Sequence, residues 1–242
     1  MLFRSPNGVR LGKYLPHEYT EWIAEHVEPW TYLKFPYLKK VGWKGFVDGP
    51  ESGVYMATPL SRLNAADGMA TPLAQEQYEK FYATLGGKPV HHRLAIHWAR
   101  LIELLYAAER WVELATDPDI TSPNIRTLPT ATPTEGVGIV EAPRGTLTHH
   151  YQVDERGMVT KCNLIVSTTH NNEPMNQAVR WVAERVISEK GTITEGMLNQ
   201  VEIAIRAYDP CLSCATQAIG QMPLKAELYN SQGILIDECI KS

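Results

Sequence analysis

The residues best suited to chemistry stand near the carboxyl end, in the run Arg206-Ala207-Tyr208-Asp209-Pro210-Cys211-Leu212-Ser213-Cys214. Two cysteines three apart on a helix share one face. Asp209 suits an N-cap and Pro210 the first helical position, which would set Cys211 and Cys214 in the opening turns. There the partial positive charge of the helix end favours thiolate over thiol. Two adjacent thiolates are a soft bidentate ligand for nickel, iron or zinc. Spacing alone leaves half a zinc site, a redox pair and chance all open. Zinc needs four ligands, normally from a second pair, and the other cysteines, Cys162 and Cys239, are in no CxxC. A thioredoxin-like pair would follow a strand in a βαβ unit, whereas a helix is expected before this one. Cys162 reads as a buried strand thiol. The histidines offer less. His92 and His97 are five apart and share no helix face, His91 lies along an apolar stripe, and His149-His150 alternate across a strand.

Several elements must position these residues. Residues 1–60 are rich in Pro, Gly and aromatics and read as short elements tied by turns. Only Pro16–Val27 suggests a helix there, with Tyr19, Ile23 and Val27 four apart. A helix is expected over Gln75–Leu85, ended by Gly86-Gly87. The strongest period runs from Val90 to Ala115, with Leu94, Trp98, Leu101, Leu105, Ala108, Val112 and Ala115 on the packing face. Asp117-Pro118 should stop it, and an extended loop should follow to Val137. Gly145–Asp154 and Met158–Ser167 read as a hairpin about Asp154–Gly157. Helices are then expected over Pro174–Glu189 and after Thr194 as N-cap, with Met197, Leu198, Val201 and Ile205 inward. The fold class is mainly α with a small β part.

Composition sets the outer bounds. The chain has 242 residues, 44% hydrophobic and 21% charged, with a formal net charge of −4. That is enough apolar surface for a core, which excludes disorder. No basic run offers a nucleic-acid face. Four cysteines are too few for a disulfide scaffold. No apolar stretch is long enough for a membrane span, and the first residues lack a signal peptide's apolar stretch. The expectation is a cytoplasmic protein.

Asp-Pro-Cys-x-x-Cys near a carboxyl end resembles the nickel-binding motif of the [NiFe]-hydrogenase large subunit. Glu141-Ala142-Pro143-Arg144-Gly145 resembles that family's APRG segment. Asn163–Asn171, read NLIVSTTHN, resembles the segment lining the iron's diatomic ligands. Tyr55–Asn64 resembles the GPLARLN stretch. The four motifs occur in the family's order, and their wording is closest to the cytoplasmic, NAD-linked, bidirectional branch.

The resemblance implies roles for residues. Cys211 would be a terminal nickel ligand, and Cys214 would bridge nickel and an Fe(CN)2CO unit. Arg144 would stand over the open metal position, and Thr168 would hydrogen-bond a cyanide. Pro143 and Val166 would line the same ligands. Asp209 would tune the site or relay protons, and His170 would stand behind it. Leu164 would offer its carbonyl to a second metal, Mg or Fe. The family's last ligand, His or sometimes Arg, is replaced here by Gln217, whose amide oxygen can bind a hard cation.

The family's first CxxC, near its amino terminus, has no counterpart here, so the chain supplies two of four thiolates. It reads as the carboxyl-terminal half of a large subunit, from a truncated or split reading frame. Residues 1–217 would form that part. Residues 218–242 would be a precursor extension, folded as a hairpin over Lys225–Asn230 and Gly233–Ile240 and removed by a dedicated endopeptidase. The partners implied are an iron–sulfur small subunit, diaphorase subunits, nickel chaperones and that endopeptidase. The alternative is a non-catalytic scaffold like the related quinone-oxidoreductase subunits, and retention of Cys211, Cys214, Arg144 and Asp209 argues against it.

Overall fold

Short segments of alternating character make the amino-terminal part a set of ribbons. The computed structural model describes residues 1–49, 51–187, 191–216 and 224–241. Strand β1 (Leu2–Arg4) pairs antiparallel with β2 (Arg10–Lys13). The expected helix over Pro16–Val27 is only half present. A 3-10 turn (Pro16–Glu18) and the four-residue α1 (Tyr19–Trp22) give way to β3 (Ile23–Val27), which pairs with β4 (Lys34–Leu38). Ile23 and Val27 are β-branched and suit a pleated surface, so a full ladder with β4 overrides a helical spacing resting on three positions.

Three helices follow. Thr58 caps α2 (Pro59–Ala65), its hydroxyl accepting from Ser61 N. α3 (Pro72–Thr84) ends before Gly86 and Gly87, both at positive φ as a helix end requires. Its first turn is capped from another element, Glu109, which accepts from Leu73 N and Ala74 N. α4 (Ala95–Ala115) carries Glu109 and starts five residues later than its periodicity suggests.

The buried face of α4 also differs from the expected one. Ala95, Ile96, Ala99 and Ile102 are buried, while Leu94, Leu101 and Val112 face solvent. The helix is apolar nearly all round, so periodicity cannot select the side. The small alanines let it lie close against α2 and α3, leaving the leucine-rich side open.

After an exposed loop come β5 (Glu135–Ala142), β6 (Gly145–Val153) and β7 (Val159–Ile165), one antiparallel sheet in that order. The β6–β7 turn at Asp154–Gly157 is where the sequence suggests. β5 is an addition, its alternation diluted by Gly136 and Gly138. Cys162 lies on the open face of β7 and is exposed, not buried. α5 (Asn172–Val186) packs on α6 (Glu195–Arg206), whose cap, Thr194, accepts from Met197 N. The short α7 (Leu212–Thr216) carries Cys214. β8 (Leu224–Tyr229) and β9 (Leu235–Lys241) form the expected hairpin. Asp237 on β9 accepts from Thr192 Oγ1 at 2.9 Å and Ile193 N at 2.8 Å, fastening the hairpin to the turn before α6.

The main core joins α2, α3 and α4 with the buried ends of α5 and α6. A smaller core of Phe3, Tyr14, Tyr19, Ile23 and Ile165 ties the ribbons to β7. The architecture is α with a β part larger than the sequence suggests, because β3, β4 and β5 carry no clean alternation. No helix among the described residues is long and apolar enough to cross a membrane.

Candidate metal centre

Four chain segments meet beside the cysteine pair. Gly145 is where three of them touch. A Cβ there would stand 2.2 Å from Ala57 O and 2.9 Å from Ser167 O, so only glycine allows the approach. Asn171, 1% exposed, ties the same segments through hydrogen bonds. Its Oδ1 accepts from Ala57 N at 2.9 Å. Its Nδ2 donates to Ala57 O at 3.1 Å and Arg144 O at 3.2 Å, and reaches Ser167 O at 3.5 Å. Pro143 and Arg144 form the two-residue turn between β5 and β6, and this net fixes the turn beside the 3-10 segment Thr169–Asn171.

The fourth segment carries the cysteines. Asp209 is not a helix cap here. α7 begins at Leu212, so Cys211 precedes the helix and only Cys214 lies within it. Asp209 instead adopts a left-handed backbone, φ +49°. That conformation costs a non-glycine residue about 1–2 kcal/mol, and aspartate is among the few that visit it. Arg144 holds the bend, its Nε donating to Asp209 O at 2.7 Å. Its guanidinium also lies 3.5 Å from Asp209 Oδ2, but both side chains are more than 40% exposed, so this ion pair adds little. Buried Thr168 secures the next step, accepting from Cys211 N through Oγ1 at 3.0 Å. Its own hydroxyl proton meets no acceptor among the described residues.

Cys211 and Cys214 are 5.3 Å apart at Cα and joined as a disulfide. A metal would take the reduced pair, as two thiolates. No group of three or more His, Cys, Asp or Glu among the described residues is arranged to hold a metal. Two sulfurs alone do not complete the coordination shell of a metal ion.

His170 is buried behind the net. Its Nδ1 lies 2.5 Å from the Tyr55 hydroxyl, and Nε2 meets no partner among the described residues. Burial pulls its pKa down to about 4, so the imidazole is neutral. Three of the other histidines singled out in the sequence have structural partners. His150 bonds Tyr19 and Glu135, His149 bonds Tyr151, and His91 meets Pro6 O.

Arg144, Thr168, Asp209, Cys211 and Cys214 are thus brought together. Val166 lies between β7 and the 3-10 segment, and Leu164 sits on β7 opposite His149. Gln217 lies outside the described residues. Three further residues escape sequence reasoning. Asn171 is inside a motif, but its three-way bonding is tertiary. Arg93 comes from the turn before α4 and Arg100 from the first turns of that helix. Arg93 bonds the Tyr208 hydroxyl, and Arg100 Nη2 donates to Ala207 O at 2.9 Å. No spacing in the sequence marks them, because Arg93 lies outside the helix that carries Arg100.

Known proteins resemble this chain over most of its length. The family model described as nickel-dependent hydrogenase matches residues 51–217. An F420-non-reducing hydrogenase iron-sulfur subunit of Archaeoglobus profundus is 50% identical over 230 residues, covering 95% of this chain and 47% of that protein. The NAD-reducing hydrogenase HoxS subunit beta of Cupriavidus necator is 50% identical over 224 residues, covering 92% and 44%. A crystal structure of an NAD+-reducing [NiFe]-hydrogenase in the H2-reduced state superposes with a TM-score of 0.79 at 45% identity, covering 87% of this chain and 45% of that one. The chain spans about half the length of these relatives. The match runs through all four segments that meet at the cysteines: this chain belongs to the nickel-dependent hydrogenase family.

Proposed function

We propose that this chain is the nickel-binding part of a large subunit of an NAD-linked [NiFe]-hydrogenase. The observation that carries the reading is the convergence of Arg144, Thr168 and Asp209 on Cys211 and Cys214 in a chain of this family. The donor chemistry fits the group. Two soft sulfurs lie close enough for one metal, a hydroxyl has a proton to give, and a guanidinium stands at the turn beside them. Cys211 and Cys214 would hold nickel, with Cys214 also reaching an Fe(CN)2CO unit. When bound, that unit would supply the chemistry of the overall reaction, H2 ⇌ 2H+ + 2e−.

The chain's own residues do the rest. Thr168 orients Cys211 through its amide and can donate to an anionic ligand. Arg144 sets the Asp209 bend and presents its guanidinium there, so developing negative charge would meet a fixed cation. Asp209 offers an exposed carboxylate within reach of that guanidinium, able to take a proton at Oδ2 and pass it to water. Pro143 and Val166 would offer apolar surface to the iron's diatomic ligands. Leu164 O and the Gln217 amide would hold Mg or Fe as a second metal.

The remaining thiolates would come from the part of the subunit that the relatives have and this chain does not. Electrons would leave through an iron–sulfur small subunit toward diaphorase subunits in the cytoplasm. Nickel chaperones would load the site. An endopeptidase would then remove 218–242, whose described part folds as its own two-stranded sheet.

The test is metal analysis of the chain co-produced with an amino-terminal CxxC-bearing fragment and maturation proteins. Nickel with infrared bands of cyanide and CO is the expected result, and intact mass should show loss of 218–242 after nickel loading. Zinc alone at Cys211 and Cys214 would overturn the reading.

A further inference from the structure

The stretch that leads from α6 to the cysteines is anchored residue by residue. Arg144 holds Asp209 O, and Thr168 holds Cys211 N. Two more anchors lie upstream and come from another element. Arg100 Nη2 donates to Ala207 O at 2.9 Å. Arg93 bonds the Tyr208 hydroxyl, which donates to Pro174 O at 3.0 Å. Ala207 is fully buried and Tyr208 nearly so. Ala207 follows the last turn of α6, where carbonyls have no helical partner, so Arg100 satisfies a group that would otherwise be buried unpaired.

We propose that Arg93 and Arg100 are positioning residues for the cysteine pair, fixing the path by which the chain leaves α6 and so the placement of Cys211 and Cys214 for metal. This rests on reading the two cysteines as nickel ligands. The physical case lies in the bend at Asp209. A left-handed aspartate persists only when both flanks are held. Arg144 and Thr168 hold its downstream side, and Arg93 and Arg100 hold the upstream one. Without the upstream pair, the bend can relax toward ordinary backbone, and the sulfurs move with it. Neither arginine need touch the metal. Arg100 Nε is buried with no partner among the described residues, so a lysine there forfeits no bond made by Nε and can still reach Ala207 O.

The experiment uses the reduced full chain titrated with nickel(II), read by thiolate-to-nickel charge-transfer absorption, with cobalt(II) spectra as a report of ligand geometry. Arg93→Met and Arg100→Met keep the apolar stems and should each weaken nickel binding about tenfold, the usual cost of removing a group that orients a ligand. Both should shift the cobalt spectrum. Arg100→Lys should recover most of the affinity and the wild-type spectrum. Tyr208→Phe fills the same volume without the hydroxyl and should behave like Arg93→Met. It decides the matter if either methionine variant fails to fold. Folded variants that bind nickel as tightly as wild type, with unchanged cobalt spectra, would overturn the positioning role alone. A wild-type chain with no thiolate–nickel band would overturn the nickel reading, and this inference with it.

Discussion

Asn171 uses both ends of its side chain. One amide oxygen and one amino group bind Ala57, Arg144 and Ser167, on three separate segments. Asn171→Ala would leave Ala57 N and at least one carbonyl buried and unpaired, each costing about 1–3 kcal/mol. Urea unfolding should show a loss of about 2–4 kcal/mol, and a loss under 1 kcal/mol would mean the net is dispensable. His170 predicts a pH dependence. Burial holds its pKa at about 4, against an ordinary value of 6.5. Across that window the unfolded chain binds a proton that the native one refuses. Stability is therefore whole above pH 6.5 and falls as pH drops toward 4. At pH 5 the loss is about 2 kcal/mol. Between pH 7.5 and pH 5, wild type should lose about that much more stability than His170→Gln, and equal losses would refute it. Sequence motifs revealed Arg144, Thr168, Asp209 and the cysteines as a group. They could not reveal the left-handed backbone at Asp209 or the anchors Arg93 and Arg100, because both depend on what packs against a helix end.

At the scale of elements, local signals were legible where a cap or turn decides the outcome. Gly86-Gly87, Thr194 and the Asp154–Gly157 turn fall where their chemistry demands. The misreadings share one cause. β3 and the buried face of α4 are set by partners distant in sequence, against which a spacing of three or four residues says little. The carboxyl-terminal hairpin makes a separate point. Two strands alone are marginal in water, and this pair is fastened through Asp237 to Thr192 and Ile193. These bonds hold the Asp237 carboxyl below its ordinary pKa, the Ile193 amide contributing most. Asp237→Ala should raise hydrogen exchange across 224–241 and at Ile193 while leaving α2–α4 protected. Unchanged exchange in the hairpin would show that other contacts dock it.

The whole molecule shows an unfinished surface. Leu101 and Leu104 are each 63% exposed and Trp111 77%, all on α4. Such a stripe favours association. The isolated chain should sediment with concentration-dependent mass, and Leu104→Gln with Trp111→Gln should reduce that without lowering thermal stability. A monomer at all concentrations would count against it. The chain spans about half the length of these relatives.

The close approach at Gly145 has a consequence in time. The backbone points it presses together, Ala57, Gly145 and Ser167, and the asparagine that binds them, all precede residue 172. A ribosome therefore finishes the cradle some forty residues before it reaches Cys211. Cys211 and Cys214 are thus made after the three segments that Gly145 and Asn171 tie together, and the cysteine-bearing segment is the last of the four to join.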